Sequence, residues 1–472
     1  MNQNSRYGMI KRFAQIIVER LSELELIFDR SVITMLFQTV HTASLITEEG
    51  KFVQGSVTLS NPLNPDTPPR TRRASYPAIH PLGNPLKLTP ESFAKLARAV
   101  DKWSGSVAVW GESSKKINAW GIVDQLVGTN TLLNREAEGG FANPGILTVV
   151  IDRPGDLTAY HGDMFLGSFR AQKIILSESE PFYDPAILEK VGWFYEPFSK
   201  AIVNSIKNKI ESDADEEIIS NSLLSSWGSV ASRICIGLQR LGTGGALIFS
   251  PQPLDGCLSI GYKFNYERLS TSLVLDVLDK YYLYALETMR SEAKKVGREF
   301  LWNLSFAQAD VEDRQDELRG AVKLVTSLAA MDGAVLLTPG FQVVGFGVKI
   351  SATEDPDTVY DGEDFFAKGT KARKISTASF GTRHGSMLRY CRADPLSIGI
   401  IISQDGHVKV VTTSNGSLIM WDRLQLLSHS SFTPEQVSEF KSWKAMAENS
   451  DASESLGYSE MPKTCPDLLN YL

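Results

Sequence analysis

Cysteine and histidine are both scarce in this 472-residue chain, and they are not gathered at metal-ligand spacing. The four cysteines, Cys235, Cys257, Cys391 and Cys465, stand far apart, with no CxxC pair and no histidine at metal-ligand spacing. That argues against a disulfide scaffold and a structural zinc site, and reads as reduced thiols in a cytoplasmic protein. His41, His161, His407 and His429 have no partners nearby in sequence and read as surface or locally satisfied groups. Long apolar runs are missing as well. Ile16-Ile17-Val18 is cut off by Glu19 and Arg20, whereas a signal-peptide core takes about seven apolar residues and a membrane helix about twenty. No membrane is expected as a partner. Nor is there a cationic excess: the formal net charge is −7, and a protein that lies on duplex nucleic acid normally carries a basic face.

What is present is the composition of a folded, globular protein, 43% apolar and 22% charged, in a chain long enough for roughly two to four compact units. Met9, Phe13, Ile16, Ile17, Leu21 and Leu24 recur at helical spacing. Residues 60–90 hold eight prolines together with Arg70, Arg72 and Arg73, and read as an extended, irregular loop. Thr89-Pro90-Glu91 then opens a helix with an N-cap hydroxyl, a first-turn proline and an acid. Short strands are expected at 106–110, 119–123, 146–151, 157–160 and 165–169, making residues 50–180 a strand-rich module. Tryptophans 103, 110 and 120 fit its core better than a ligand cage. Residues 183–240 read as mainly helical. A strand follows at 246–250, then a long helical stretch over 266–330 with a break near Asn303. Strands return at 334–338, 342–348, 397–403 and 407–412, and a last helix is signalled by Thr433-Pro434-Glu435.

Three stretches carry candidate chemistry. In Met331-Asp332-Gly333-Ala334-Val335-Leu336-Leu337 an acid precedes a glycine that opens an apolar strand. A carboxylate held at a strand's rim suits a hard cation such as Mg²⁺ or Mn²⁺, though the same pattern also describes a plain turn acid. In Gly381-Thr382-Arg383-His384-Gly385-Ser386-Met387 a hydroxyl, an arginine and a histidine stand at the start of a helical turn. Free N–H groups and a forked guanidinium there suit phosphate, and Thr382 either caps the helix or binds phosphate. Gly242-Thr243-Gly244-Gly245-Ala246-Leu247-Ile248 is a glycine turn into a strand without the GK[ST] ending of a P-loop.

Taken in order, these stretches resemble the diadenylate cyclase family, in which a Gly-Ala-Leu-Ile strand, an Asp-Gly-Ala strand, a Gly-Thr-Arg-His helix start and a strand ending near a serine follow one another. Here the last of these is Ile400-Ile401-Ile402-Ser403-Gln404-Asp405-Gly406. The resemblance covers about residues 220–425. Upstream, Tyr76-Pro77-Ala78-Ile79-His80-Pro81-Leu82-Gly83, Trp120-Gly121-Ile122-Val123-Asp124-Gln125 and Glu138-Gly139-Gly140-Phe141 are similar to a module found ahead of such cyclases, DACNV, taken to be a sensor.

The resemblance implies an α/β (α+β) chain. Residues 1–180 would form the strand-rich sensor module, 181–219 a helical connector, 220–425 a mixed sheet flanked by helices, and 426–472 a C-terminal helix and tail. It implies condensation of two ATP into cyclic di-AMP across a face-to-face homodimer. Asp332 would hold Mg²⁺ or Mn²⁺ and help activate the attacking hydroxyl. Thr382, Arg383 and His384 would hold the triphosphate, with Gly333, Ala334, Gly381, Ser386 and Arg389 completing the ATP surface. The departures are Gly385, where the family has a second arginine, Met331 for a histidine, Gln404 for a glutamate, and a longer run between Gly245 and Asp332. They leave open a domain that binds nucleotide without turning it over, beside the further reading of an unrelated α/β scaffold.

Overall fold

The computed structural model describes residues 3–422 apart from 24–25, 27, 63–77, 101–104, 112, 114–115, 125–146, 162–163, 171, 177–180, 211–213, 294–295, 378–379 and 405. The arginine cluster at 70–73, Trp103, the Glu138–Phe141 string, Asp405, the helix expected at 433, His429 and Cys465 lie outside the described residues. The chain divides into two compact units, Met1–Glu178 and Ser179–Leu472. Both are mixed α and β, as the sequence leads one to expect.

The first unit contains α1 (Gln3–Glu23), α2 (Arg30–Ser44), a small β1 (Thr47–Glu48)–β2 (Lys51–Phe52) pair, β3 (Gly55–Leu59), β4 (Ala78–Lys87), α3 (Pro90–Ala97), β5 (Ser106–Gly111), β6 (Ile117–Asp124), β7 (Leu147–Arg153), β8 (Asp156–His161), β9 (Met164–Arg170) and β10 (Lys173–Ile175). Eight strands form one sheet in the order β10-β9-β8-β7-β3-β5-β6-β4. Alternation decides its two faces. Val57, Val107, Val149 and Leu157 turn toward Phe13, Ile17, Leu36, Phe37 and Phe93 of the three helices, forming one apolar core. Between them Ser56, Thr58, Ser106, Thr148, Thr158 and Ser168 are buried on the other face. There the Thr58 hydroxyl reaches those of Ser106 at 2.7 Å and Thr148 at 3.1 Å.

One expectation for this unit is corrected and one element was missed. Residues 78–87 form a strand despite Pro81 and Pro85, pairing antiparallel with β6 from Ala78–Asp124 to Lys87–Asn118. The prolines are tolerated because β4 is the edge strand and its pairing is irregular between Pro81 and Leu86. Helix α2, which the sequence reading passed over, is signalled by Asp29, whose carboxylate accepts from the Ser31 and Val32 N–H groups.

The second unit contains α4 (Pro185–Ile210), α5 (Glu216–Leu241), β11 (Gly245–Phe249), β12 (Leu258–Ser259), β13 (Tyr262–Tyr266), α6 (Arg268–Glu292), α7 (Arg298–Ala329), β14 (Ala334–Leu337), β15 (Val343–Ile350), β16 (Val359–Asp361), α8 (Gly362–Lys368), α9 (Thr382–Ala393), β17 (Ile398–Ile402), β18 (Val408–Ser414) and β19 (Ser417–Asp422). The helical break is not at Asn303: α6 ends at Glu292 and α7 begins at Arg298. Ala293 is extended and Gly297 caps α7, while Asn303 is an exposed residue inside that helix. Asn303 continues the helix at little cost, whereas glycine at an N-terminus favours a fresh start.

The sheet runs β12-β15-β14-β11-β17-β18-β19-β16, with β13 also on β15. Its central strands β11, β14 and β17 are buried on both faces. Leu247, Phe249, Val335, Leu337 and Ile400 meet the large core supplied by helices α4–α7, including Phe194, Phe198 and Trp227. Ala246, Ile248, Ala334, Leu336 and Ile401 meet Met387, Leu388 and Cys391 of α9. The stretch expected as a connector thus contributes Phe182 to Ile206 to the large core. Helix α9 sits low on the sheet because β17 has a glycine beneath it: a Cβ at Gly399 would stand 2.4 Å from Met387 Sδ and 3.0 Å from Cys391 Sγ.

A Gly399→Ala chain is expected to be less stable by about 1–3 kcal/mol, the usual penalty for overfilling a close-packed core. Gly192→Ala, in the interior of α4 with nothing within 4 Å of the new methyl, should gain roughly 0.5–1 kcal/mol by removing glycine's backbone freedom. Urea denaturation of both variants checks the opposite signs.

Candidate functional site

Strand pairing brings the three candidate stretches to one edge of the second sheet. β11 and β14 run parallel with Leu247 opposite Val335, which sets Gly245 beside Gly333 two residues earlier. β17 ends antiparallel to β11 with Ile402 opposite Gly245. β15 pairs antiparallel with β14, Val348 opposite Ala334, and β13 with β15, Tyr262 opposite Phe346. The rim therefore collects Gly244-Gly245, Asp332-Gly333, Ser403-Gln404, Gly347 and Tyr262. The likeness between Gly245-Ala246-Leu247-Ile248 and Gly333-Ala334-Val335-Leu336 is that of two neighbouring strands entering the sheet side by side.

Helix α9 delivers Arg383 to this rim. A Cβ at Gly244, whose φ is +68°, would stand 3.2 Å from Arg383 Nη1, 3.2 Å from Gln404 N and 2.9 Å from Ile402 O. Only glycine lets the guanidinium come so near the turn. Asp332 opens the adjacent strand, about one strand spacing (~4.8 Å) from Gly244-Gly245. Its carboxylate is exposed. Among the described residues, neither the Asp332 carboxylate nor the Arg383 guanidinium makes a hydrogen bond or an ion pair. Two other cations nearby, Lys409 and Arg389, are engaged. Lys409 Nζ lies 2.8 Å from Asp422 and 4.3 Å from the centre of the Phe380 ring. Arg389 donates to Asp355 Oδ1 at 2.8 Å and to Ala352 O at 3.0 Å.

The remaining expected site residues fall as follows. Gly381 is the N-cap of α9 and Thr382 its first helical residue, and among the described residues no side chain caps this end. The first amides have no side-chain partner among those residues, and Thr382 does not serve as the cap. His384 packs on Phe380, ring centres 5.4 Å apart. Ser386 turns its hydroxyl back to Arg383 O at 3.1 Å. Ala334 has its side chain in the core beneath α9, which leaves only its backbone for a ligand. The space at Gly333, φ +99°, is filled by the chain itself: a Cβ there would meet the Gly347 carbonyl carbon at 2.7 Å. Gly385 leaves room that Arg389 occupies, with its Nη1 3.5 Å from where a Cβ would be. Among the described residues no three His, Cys, Asp or Glu side chains are gathered to hold a metal ion. The sequence reading missed Tyr262 and Lys409. The alternating Tyr262, Phe264 and Tyr266 signal a strand, but not where it lies.

The far end of α9 is anchored in a buried polar network. Asp394, its C-cap, accepts from Ser250 Oγ at 2.8 Å, Tyr390 Oη at 3.0 Å and Leu396 N at 3.2 Å. Burial raises its carboxyl above the usual range. Lys190 of α4 donates to Thr412 Oγ1 and, at 2.6 Å, to Thr413 O. Burial lowers its ammonium to about 8, opposed by its acidic neighbours. Cys391, pushed up by burial to about 12, is a thiol here. The described cysteines, Cys235, Cys257 and Cys391, are free.

Residues 22–124 match the family model described as "Probable sensor domain DACNV". Of the strings that resembled this module, Tyr76–Gly83 lies inside the match, Trp120–Gln125 lies inside it but for Gln125, and Glu138–Phe141 lies beyond it. No curated protein and no solved structure matches the chain. Among the described residues no helix is long and apolar enough to cross a membrane.

The depressed Lys190 ammonium has a consequence for stability. Below about pH 8 it is protonated folded and unfolded alike, and the cost of burying the charge is fully present. Between pH 8 and the unfolded value of 10.5 the unfolded chain binds more protons, so stability rises with pH. Denaturation at pH 7.5 and 10 should show the second unit gaining up to roughly 3 kcal/mol from this group, and Lys190→Met should remove that pH-dependent part.

Proposed function

We propose that the second unit is a nucleotidyltransferase that condenses two ATP into cyclic di-AMP, under control of the DACNV module. The observation that carries this reading is the rim itself. A guanidinium at an uncapped helix start and a carboxylate on the neighbouring strand start face the same edge, neither engaged by described residues. Phosphoryl transfer asks for little else from a protein than positioning and charge neutralisation.

On this reading the open amides of α9 and Arg383 hold the triphosphate, with His384 beside them. Asp332 fits Mg²⁺ or Mn²⁺, because such ions are commonly held by one or two carboxylates together with substrate phosphates. When bound, the cation would neutralise phosphate charge and favour the ionised 3′-hydroxyl. Each 3′-oxygen forms a bond to the α-phosphorus of the other nucleotide, each pyrophosphate leaves, and each hydroxyl proton passes to solvent. One rim holds one nucleotide, so the reaction requires two copies facing each other. The surface at Gly385 is served by Arg389, whose guanidinium already stands beside that position. In the first unit, the hydroxyl-lined buried face, where Ser60 and Ser168 make no side-chain hydrogen bond with described residues, is consistent with a module that takes up a polar effector.

A second reading is favoured by one observation: Arg389 is already held by Asp355 and Ala352, which leaves Arg383 as the uncommitted guanidinium at the rim among the described residues. A domain so equipped would bind ATP and report it without turning it over.

Incubation of the full chain with ATP and Mg²⁺ or Mn²⁺, with products separated by mass-resolved chromatography, tests the choice. Cyclic di-AMP is expected from the wild type, reduced at least ~100-fold in Asp332→Asn and in Arg383→Ala. ATP binding with no product under either metal would establish the second reading, and absence of ATP binding would remove both.

A further inference from the structure

The rim carries an aromatic surface that no step above uses. Tyr262 opens β13 and is 58% exposed. Its ring is nonetheless fixed, stacked on Phe346 with centres 4.9 Å apart and planes 18° from parallel. Phe346 is in turn packed against the large core and braced edge-on by Phe264 at 5.9 Å. One face of the Tyr262 ring is thus covered and the rest of it is largely open. A large ring held rigidly in this way loses little freedom when a second flat group covers it.

The place of the ring gives it a function. A Cβ at Gly347, φ +64°, would stand 3.2 Å from Tyr262 Cδ2, and Gly347 is itself in backbone contact distance of Gly333. The ring, Gly347, Gly333 and Asp332 therefore follow one another along the edge. Two strand spacings separate β13 from β14 and three separate it from β11, roughly 10 and 14 Å. Phe346 belongs to the face covered by α4–α7, and Arg383 comes from the helix on the opposite face. A ligand touching both must cross the rim, and it crosses at Gly333 and Gly347, where no side chain projects.

We infer that Tyr262, backed by Phe346, is the platform on which the nucleobase stacks while the phosphates lie at Arg383. This rests on the nucleotide reading of the rim and adds to it the group that distinguishes a nucleotide from a bare polyphosphate. Stacking on a π face is tolerant of which base is presented. Tyr262 thus gives affinity for a nucleoside triphosphate, and choice among bases falls to other groups.

Isothermal titration of the full chain in Mg²⁺ with two probes, ATP and inorganic tripolyphosphate, separates the possibilities. For Tyr262→Ala, ATP affinity should fall about 10- to 100-fold, the range for losing one base–aromatic stack, with tripolyphosphate binding unchanged. Tyr262→Phe should restore ATP affinity. ATP bound as tightly by Tyr262→Ala as by the wild type would overturn the platform. So would an equal loss for both probes, which would assign Tyr262 to the shape of the rim. Wild-type protein that binds tripolyphosphate as well as ATP also rejects the platform while leaving a phosphate site. Binding of neither probe removes the nucleotide reading and the platform together.

Discussion

The close seating of α9 on β17 is the constraint on which the candidate site depends. Gly399 provides no side chain, so Met387 and Cys391 occupy the space where a Cβ would stand, and the helix lies directly on the sheet. At that height its first turn reaches the rim, and a second missing side chain, at Gly244, lets the Arg383 guanidinium approach the turn into β11. A residue larger than glycine at either position would lift or deflect the arginine, and a displacement of even one ångström matters where charge must be placed against phosphate. The site is thus positioned by two absences of side chain, and the charged groups act within the space those absences leave.

The elements the sequence reveals are those whose local pattern agrees with their burial. Apolar runs such as Ala246–Phe249, Val335–Leu337 and Ile400–Ile402 become strands covered on both faces. Thr89-Pro90 becomes a capped helix with Ser92 completing the capping box. The misses have tertiary causes. The proline-bearing β4 survives because it is an edge strand, which no local rule announces. Helix α7 starts at Arg298 after its Gly297 N-cap and packs back on α6 through Leu286, Leu304 and Ala307, so the break is set by packing of the helical pair and not by the asparagine. Short strands such as β12 and β16 exist only because longer partners accept them.

For the candidate site, the residue types were legible and their relations were not. Asp332, Arg383 and the glycine turn stood out in the chain because acids before glycines and arginines at helix starts have chemical uses. That Gly245 and Gly333 enter side by side follows from a parallel register that only the folded sheet fixes. Some roles changed in the process: Thr382 lies inside the helix, Ala334 is core, and Gly333 answers to the Gly347 backbone. Tyr262 was invisible as a site residue because it lies 70 residues before Asp332 and meets it only through β15.

The two ends of α9 show how the fold separates stability from chemistry. At its C-terminus Asp394, Tyr390 and Ser250 are mutually satisfied and buried, with Lys190 donating into the adjoining strand. Such a network is costly to form and rigid once complete. It fixes the helix without recourse to the rim. At the N-terminus no side chain caps the first turn, and Arg383 has no acidic partner among the described residues. If the cap and the partner were present, the helix would be more stable and the rim would be closed to anions. Lys409 and Arg389, by contrast, are each tied to an aspartate. An uncapped start and a single unpaired guanidinium, held at one edge by a helix anchored elsewhere, are what a site for a negatively charged ligand requires.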